Sequence, residues 1–347
     1  MEDYTICNGL VIRIDWLSFT ILDNFNLNEC LRMFGFSEAD FVELPKGANG
    51  YKSMMKMHEY DIKVLYDGKS DMGVHFDVTG SAISYFLERF MKSLEVETPF
   101  GEAYEVEDIE ASFMRMLFET VLKHGHFTRA DIALDDFNAK FYTISDIVDM
   151  FDACRVVSKW KSWKHVYEKI NSDNFLLGNT VYCGSRQSEI YLRIYDKQLE
   201  QSKGNNKINI PWVRWELEFK GERVNEMANR FVAMDNLSDV FLGVLSNYFR
   251  IIDLDDSNRS RCSVSEKWLS FIGEIEKLTL YVSKPEHTIA EKEDWLYRSI
   301  APTLTGVFIS KGGDMDFIYS LLENGSRRMK QPLREQVMRE NPAYFGV

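Results

Sequence analysis

Four short segments of the chain place acids, cations and tyrosines at alternate positions, the spacing that puts side chains on one face of a β-strand. In TRADIALDD, Arg129, Asp131 and Asp135 share a face and Ile132 and Leu134 take the other. In VRWELEF, Arg214, Glu216 and Glu218 lie opposite Trp215, Leu217 and Phe219. In YLRIYDK, Tyr191, Arg193, Tyr195 and Lys197 lie opposite Leu192 and Ile194, and in VHFDVTG, His75 and Asp77 lie opposite Val74, Phe76 and Val78. One such strand is explained by a solvated outer face; four together describe a site. Carboxylates converging from neighbouring strands make an oxygen cage suited to Mg²⁺ or Mn²⁺, an ion that polarises a phosphodiester. A tyrosine beside it, with Lys197 and Arg193 favouring the phenolate, can attack phosphorus and form an ester that conserves the energy of the bond it breaks.

The elements that must position these residues follow from periodicity. VIRIDWLSFTI, YDIKVLYDG and GVHFDVTG read as strands, followed by a helix whose stripe is Ile83, Phe86, Leu87, Phe90, Met91 and Leu94. A second helix, IEASFMRMLFETVLKHG, is expected to close at Gly125. FTRADIALDDF is a strand, and TISDIVDMFDACRVV a helix opened by a Thr143/Asp146 capping pattern. Three strands follow, in NTVYCGS, EIYLRIYDKQ and PWVRWELEFKG, and then a stretch over 223–252 that reads as helical throughout. The polar segment DLDDSNRSRCS is the linker candidate, and capping boxes at Ser263/Glu266 and Thr288/Glu291 open helices beyond it. The expected fold is α+β: a largely antiparallel central sheet with helices on one side over residues 1–255, and a small C-terminal helical region over 262–347.

With 45% hydrophobic residues, the 347-residue chain can bury a large core, and no apolar run reaches the length of a membrane span. Five scattered cysteines without a CxxC spacing argue against a disulfide framework or zinc knuckle and fit a cytoplasmic protein. The net charge of −13 conceals a local reversal. Residues 155–223 hold 13 Lys and Arg against 8 Asp and Glu, whereas the remainder has a net charge of −18. Within that basic stretch Lys159, Lys161 and Lys164 alternate with Trp160 and Trp163, cations for phosphates and rings for bases, the composition that single-stranded nucleic acid requires. The alternative is a solvated charged face with two partly buried tryptophans.

At this point the chain resembles the trans-acting initiators of rolling-circle plasmid replication and the related relaxases of Gram-positive integrative conjugative elements. The resemblance rests on TRADIALDDF, the Tyr-x-Gly-x-Arg-x-Ser-Glu run from Tyr182 to Glu189, RIYDK with a following Glu, and RWELE, in that order and spacing. It covers residues 70–225 well, DWLSFT in part, and little beyond 260. It implies site-specific nicking of one strand at an origin (a double-strand origin or a transfer origin) through a 5′-phosphotyrosine on Tyr195. Asp131, Asp135, Glu216 and Glu218 would form the metal cluster for Mg²⁺ or Mn²⁺, with Asp77 as a further acid. It also implies a host helicase as partner and a homodimer or transient oligomer. Tyr191 is a rival nucleophile and Tyr182 a poorer one. The only His-x-His pair, His124 and His126, flanks a glycine at a helix end and reads as a cap or loop rather than a metal site.

Arg186 is a candidate phosphate contact, with a salt bridge to Glu189 as its alternative; Arg327 and Arg328 in SRRMKQPLR form a candidate phosphate clamp. Two other functions fit part of the pattern. A carboxylate–metal nuclease would hydrolyse DNA with water and leave Tyr195 structural, and a non-catalytic regulator would bind an origin without cutting it. The lone DGKSD lacks the glycine spacing of a phosphate-binding loop, so ATP hydrolysis by this chain is not expected.

Overall fold

The structure, a computed structural model, describes residues 9–22, 25–94, 106–170, 176–202, 209–233, 236–276, 288–329 and 331–341. The described strands are β1 (Gly9–Ile21), β2 (Val42–Glu43), β3 (Ser53–Lys56), β4 (Ile62–Tyr66), β5 (Val74–Thr79), β6 (Gly125–Phe137), β7 (Val156–Ser158), β8 (Trp163–Lys169), β9 (Leu176–Cys183), β10 (Ile190–Asp196), β11 (Trp212–Lys220) and β12 (Phe249–Ile251). The α-helices are α1 (Leu27–Met33), α2 (Ala82–Ser93), α3 (Val106–His124), α4 (Ile144–Asp152), α5 (Lys197–Gln201), α6 (Gly221–Val232), α7 (Leu237–Tyr248), α8 (Glu266–Ile275), α9 (Ile289–Trp295), α10 (Ala301–Ser310), α11 (Met315–Arg328) and α12 (Gln331–Glu340).

Ten strands form one antiparallel sheet in the order β2-β3-β4-β5-β1-β6-β11-β10-β9-β8, and β12 pairs with β7 in a small second sheet. The apolar residues of the central strands face the helices, so the expected α+β architecture stands. On this face Phe19 stacks on Phe76 at 5.1 Å and meets Phe34, Phe86 and Phe127 edge-on. Rings placed this way contribute about 0.5–1.5 kcal/mol per pair beyond their burial. The Thr143/Asp146 capping box is present at the start of α4. Gly125 serves differently from expected: it begins β6, and an added Cβ there would lie 1.8 Å from the Thr20 carbonyl oxygen. Close approach of β6 to β1, rather than a helix cap, requires the glycine. His124 packs edge-on against Phe25 and His126 pairs with Thr20 in the sheet.

Three boundaries differ from expectation. Residues 223–252 are two helices and a strand, because Phe249 and Ile251 alternate with Arg250, turn inward and pair with β7. The segment 253–263 is held to the large unit: Ile252 bridges to Val264, Arg155 pairs with Asp253 at 2.5 Å, and Asp255 binds Ser263. Ser263 is therefore engaged elsewhere, and Ser265 takes the N-cap position of α8. Trp268 and Phe271 of α8 pack on Trp215 at 6.0 and 5.2 Å, which places α8 in the main core. The chain divides instead into a larger unit, residues 4–284, and a smaller one whose body is 285–347. No described helix is long and apolar enough to cross a membrane.

Candidate active site

Register brings the charged faces of β1, β6, β11 and β10 together. Asp131 lies opposite Glu218, which lies opposite Tyr191; Asp135 lies opposite Arg214, which lies opposite Tyr195; Glu216 lies opposite Arg193. A bulge in β1 between Ile14 and Trp16 shifts the phase of that strand, so Arg13 before it and Trp16 and Ser18 after it belong to the same face. The apolar positions record the shift, running Ile12, Ile14 and then Leu17, Phe19, Ile21. That slip in RIDWLSFT was the available signal for Arg13 and Asp15, which the parity of the other four strands does not reveal.

The charges are paired rather than free. Arg214 donates to both Asp135 oxygens at 2.6 and 2.8 Å and to Asp15 at 2.7 Å; Arg13 meets Asp135 at 3.0 Å, and the Trp212 indole donates to Asp135 at 2.7 Å. Asp135 is 0% exposed and Arg214 2%. Burial, the largest single influence, opposes the charge on Asp15 and Asp135, but Arg214 and Arg13, joined by Lys197 at Asp15 and by Trp212 at Asp135, together outweigh it and hold both carboxyls below the ordinary range. The second network runs Glu216–Arg193–Asp131–Arg129–Glu218–Lys220. Arg129 donates to Asp131 at 2.9 and 2.6 Å and meets Glu218 at 3.0 Å, and Lys220 meets Glu218 at 2.6 Å. Arg193 pairs closely with Glu216 and lies 3.5 Å from Asp131. Burial pushes the Asp131 carboxyl up to about 6 despite Arg129 and Arg193.

Tyr195, half-buried, donates its hydroxyl to Glu216 Oε2 at 2.9 Å. Burial raises this phenol well above its ordinary range, with Arg214 opposing, so the resting oxygen is protonated. Lys197 has left the strand and opens α5, where its ammonium lies 5.6 Å from the centre of the Tyr195 ring and binds Glu200 at 2.9 Å. Burial lowers its affinity for a proton, and the nearby Arg214 lowers it further. Tyr191 is 1% exposed and its hydroxyl has no acceptor among the described residues, whereas Tyr182 stacks on it at 6.0 Å. Only the Tyr195 hydroxyl of these three is seen joined to a carboxylate.

The donor set for Mg²⁺ or Mn²⁺ does not assemble. Among the described residues no three His, Cys, Asp or Glu side chains gather about one point. Guanidinium groups stand between the acids, Arg193 between Glu216 and Asp131, Arg129 between Asp131 and Glu218, and Asp135 is enclosed by Arg214, Arg13 and Trp212. Asp77 is apart from them on β5, bonded to Trp16 and Ser18 at 2.8 and 2.6 Å.

The basic stretch divides. Trp160 is buried at 9% exposure, donates to the Ile190 carbonyl at 3.1 Å and packs on Tyr248, so it is a core ring and not a platform for a base. In β8 the expected alternation of cations and rings becomes a separation. Lys164, opposite Tyr182, is on the Tyr195 face, and Trp163, opposite Cys183, is on the helix face. Lys161 and Lys164 are exposed, and Lys159 binds Asn247. Arg186 lies over the Tyr182 ring at 5.9 Å, and Glu189 pairs with Arg223 instead. Arg327 and Arg328 are exposed in the last turn of α11, in the smaller unit, where Arg327 pairs with Glu323.

The site is thus one face of a wholly antiparallel sheet, carrying a tyrosine joined to an acid among paired acids and arginines. The chain belongs to the replication initiation factor family, whose sequence model matches residues 125–322. It is 28% identical over 265 residues to the "Putative DNA relaxase NicK" of Bacillus subtilis (strain 168), covering 74% of this chain and 70% of that one. Its fold is similar to that of a rolling circle replication initiator protein from Geobacillus stearothermophilus, with a TM-score of 0.65 and 24% identity over 80% of this chain and 100% of the other.

Proposed function

We propose that this chain cuts one strand of DNA at an origin and keeps the 5′ phosphate as an ester of Tyr195, to start rolling-circle replication or conjugative transfer. The observation that carries the reading is the hydrogen bond from the Tyr195 hydroxyl to Glu216 beside Arg193. A phenol held protonated by burial needs a base at the moment of attack, and Glu216 is in reach to take the proton. As the Tyr195 oxygen bonds to phosphorus, the bond from phosphorus to the 3′ oxygen breaks. Lys197, whose proton is held less tightly than usual, supplies a proton to that leaving oxygen. Protonation of Glu216 removes the charge that Arg193 neutralises, which frees the guanidinium for the phosphoryl oxygens. Reversal of these steps rejoins the strand.

No step of this reading runs through a metal. A divalent ion at Asp131 and Glu216 would require Arg193 to move away. A host helicase and a second copy of the chain belong to the same proposal, testable by co-purification on origin DNA.

The test is an origin-bearing oligonucleotide incubated with the protein, resolved on a denaturing gel and followed by peptide mapping. The expected product is a covalent adduct on the peptide containing RIYDK, absent from Tyr195→Phe. Cutting that persists in Tyr195→Phe would replace strand transfer with hydrolysis by water.

A further inference from the structure

A cavity of about 380 Å³ lies at the free edge of the sheet, between α4, β7, the turn before β8 and the loop at Arg259. The steps above do not use it. Its lining includes Lys161 and Arg259 and no acidic residue, in a chain with 54 Asp and Glu against 41 Lys and Arg. Among the described residues neither cation has a carboxylate partner; Arg259 donates to the Val156 carbonyl and Lys161 is exposed. Phe151 and Trp163, both lining the cavity, stack at 4.4 Å with their planes 18° apart. Trp160 forms part of the wall, held by Gly184, whose φ of +93° lets the backbone pass where an added Cβ would meet the indole at 2.5 Å. Aromatic rings beside cations that no carboxylate neutralises suit a flat heteroaromatic ring joined to a phosphate.

The cavity is placed for a strand that has passed the catalytic tyrosine. β8 is the last strand of the sheet, two strands from β10, a distance of about 10 Å. Lys164 lies on the Tyr195 face of β8 and Trp163, its neighbour, on the other. A polynucleotide crossing Tyr195 and Lys164 can therefore turn over the edge and enter beside Lys161. We infer that the cavity holds one unpaired nucleotide of the strand that is cut, its base against the Phe151–Trp163 pair and its phosphate at Lys161 and Arg259. The identity of the ligand as DNA rests on the strand-cutting reading above.

Cys154 lines the cavity and is exposed, whereas Cys30, Cys183 and Cys262 are buried, so its alkylation reports occupancy. In a Cys7→Ser background, iodoacetamide labelling of Cys154 is measured by mass spectrometry with and without a single-stranded origin oligonucleotide. Binding of the oligonucleotide is verified by fluorescence anisotropy and the Tyr195 adduct is scored in the same samples. Labelling is expected to slow at least about fivefold with bound oligonucleotide, the loss of one stacked base being worth that factor or more. It is expected to stay at the free rate with millimolar deoxynucleoside monophosphate, and the Lys161→Glu/Arg259→Glu variant should lose the protection. Unchanged labelling with oligonucleotide bound overturns the inference even where the adduct forms. Protection without an adduct keeps the cavity and removes the nicking reading. Equal protection by the monophosphate assigns the cavity to free nucleotides and overturns its role for the cut strand.

Discussion

The middle and the edge of the same sheet treat their charges in opposite ways. On β6 and β11, each flanked by strands on both sides, Asp131, Asp135, Glu216 and Glu218 each meet an arginine or lysine, and Asp131, Asp135, Arg214 and Glu216 are all nearly inaccessible. On β8, with a neighbour on one side only, Lys164 stays exposed. A buried charge must be paired because desolvation costs several kcal/mol, whereas an exposed lysine remains hydrated at no such cost. Charge density along a sequence thus marks neither a binding surface nor a metal cage until the number of flanking strands is known.

Breaking the central network should have the largest effect. Arg214→Met leaves Asp135 and Asp15 with fewer partners and is expected to cost about 3–5 kcal/mol in chemical denaturation. A loss below about 1 kcal/mol would show that the network is not tightly coupled. Trp160→Ala, within the basic stretch, should cost about 3–5 kcal/mol as a core truncation rather than act on DNA affinity alone. Wild-type stability accompanied by lost affinity would restore Trp160 as a stacking platform.

Asp131 gives the comparison a pH axis. Its folded carboxyl titrates at about 6, above the ordinary 3.8 of an aspartate in water, so its favourable contribution is complete below pH 4 and is lost as pH rises through 6. Relative to Asp131→Asn, the wild type should lose up to about 3 kcal/mol of unfolding free energy between pH 4 and 7. A pH-independent difference would contradict the burial of this group. Lys164→Ala, at the edge, should change stability by less than about 0.5 kcal/mol while lowering the slope of log affinity for DNA against log salt by about 1. An unchanged slope would take the strand path off β8.

Much of this arrangement was legible in the residues themselves. Side chains on an unbulged strand alternate between faces, so parity alone placed Arg129, Asp131 and Asp135, and likewise Arg214, Glu216 and Glu218, on a single polar face. The helices and the Thr143/Asp146 cap followed from equally local rules. What parity could not supply was lateral order and register. Only the folded sheet set β11 between β6 and β10, drove arginines between the acids expected to hold a metal, and joined Tyr195 to Glu216. A bulge between Ile14 and Trp16 brought Trp16 and Ser18 onto the face that already holds Arg13, and contacts of Trp268 and Phe271 moved the boundary of the larger unit past α8. Local periodicity is a property of the backbone and can be read along the chain. Partnership between charges depends on which distant strands burial brings side by side, and that is settled by the tertiary structure.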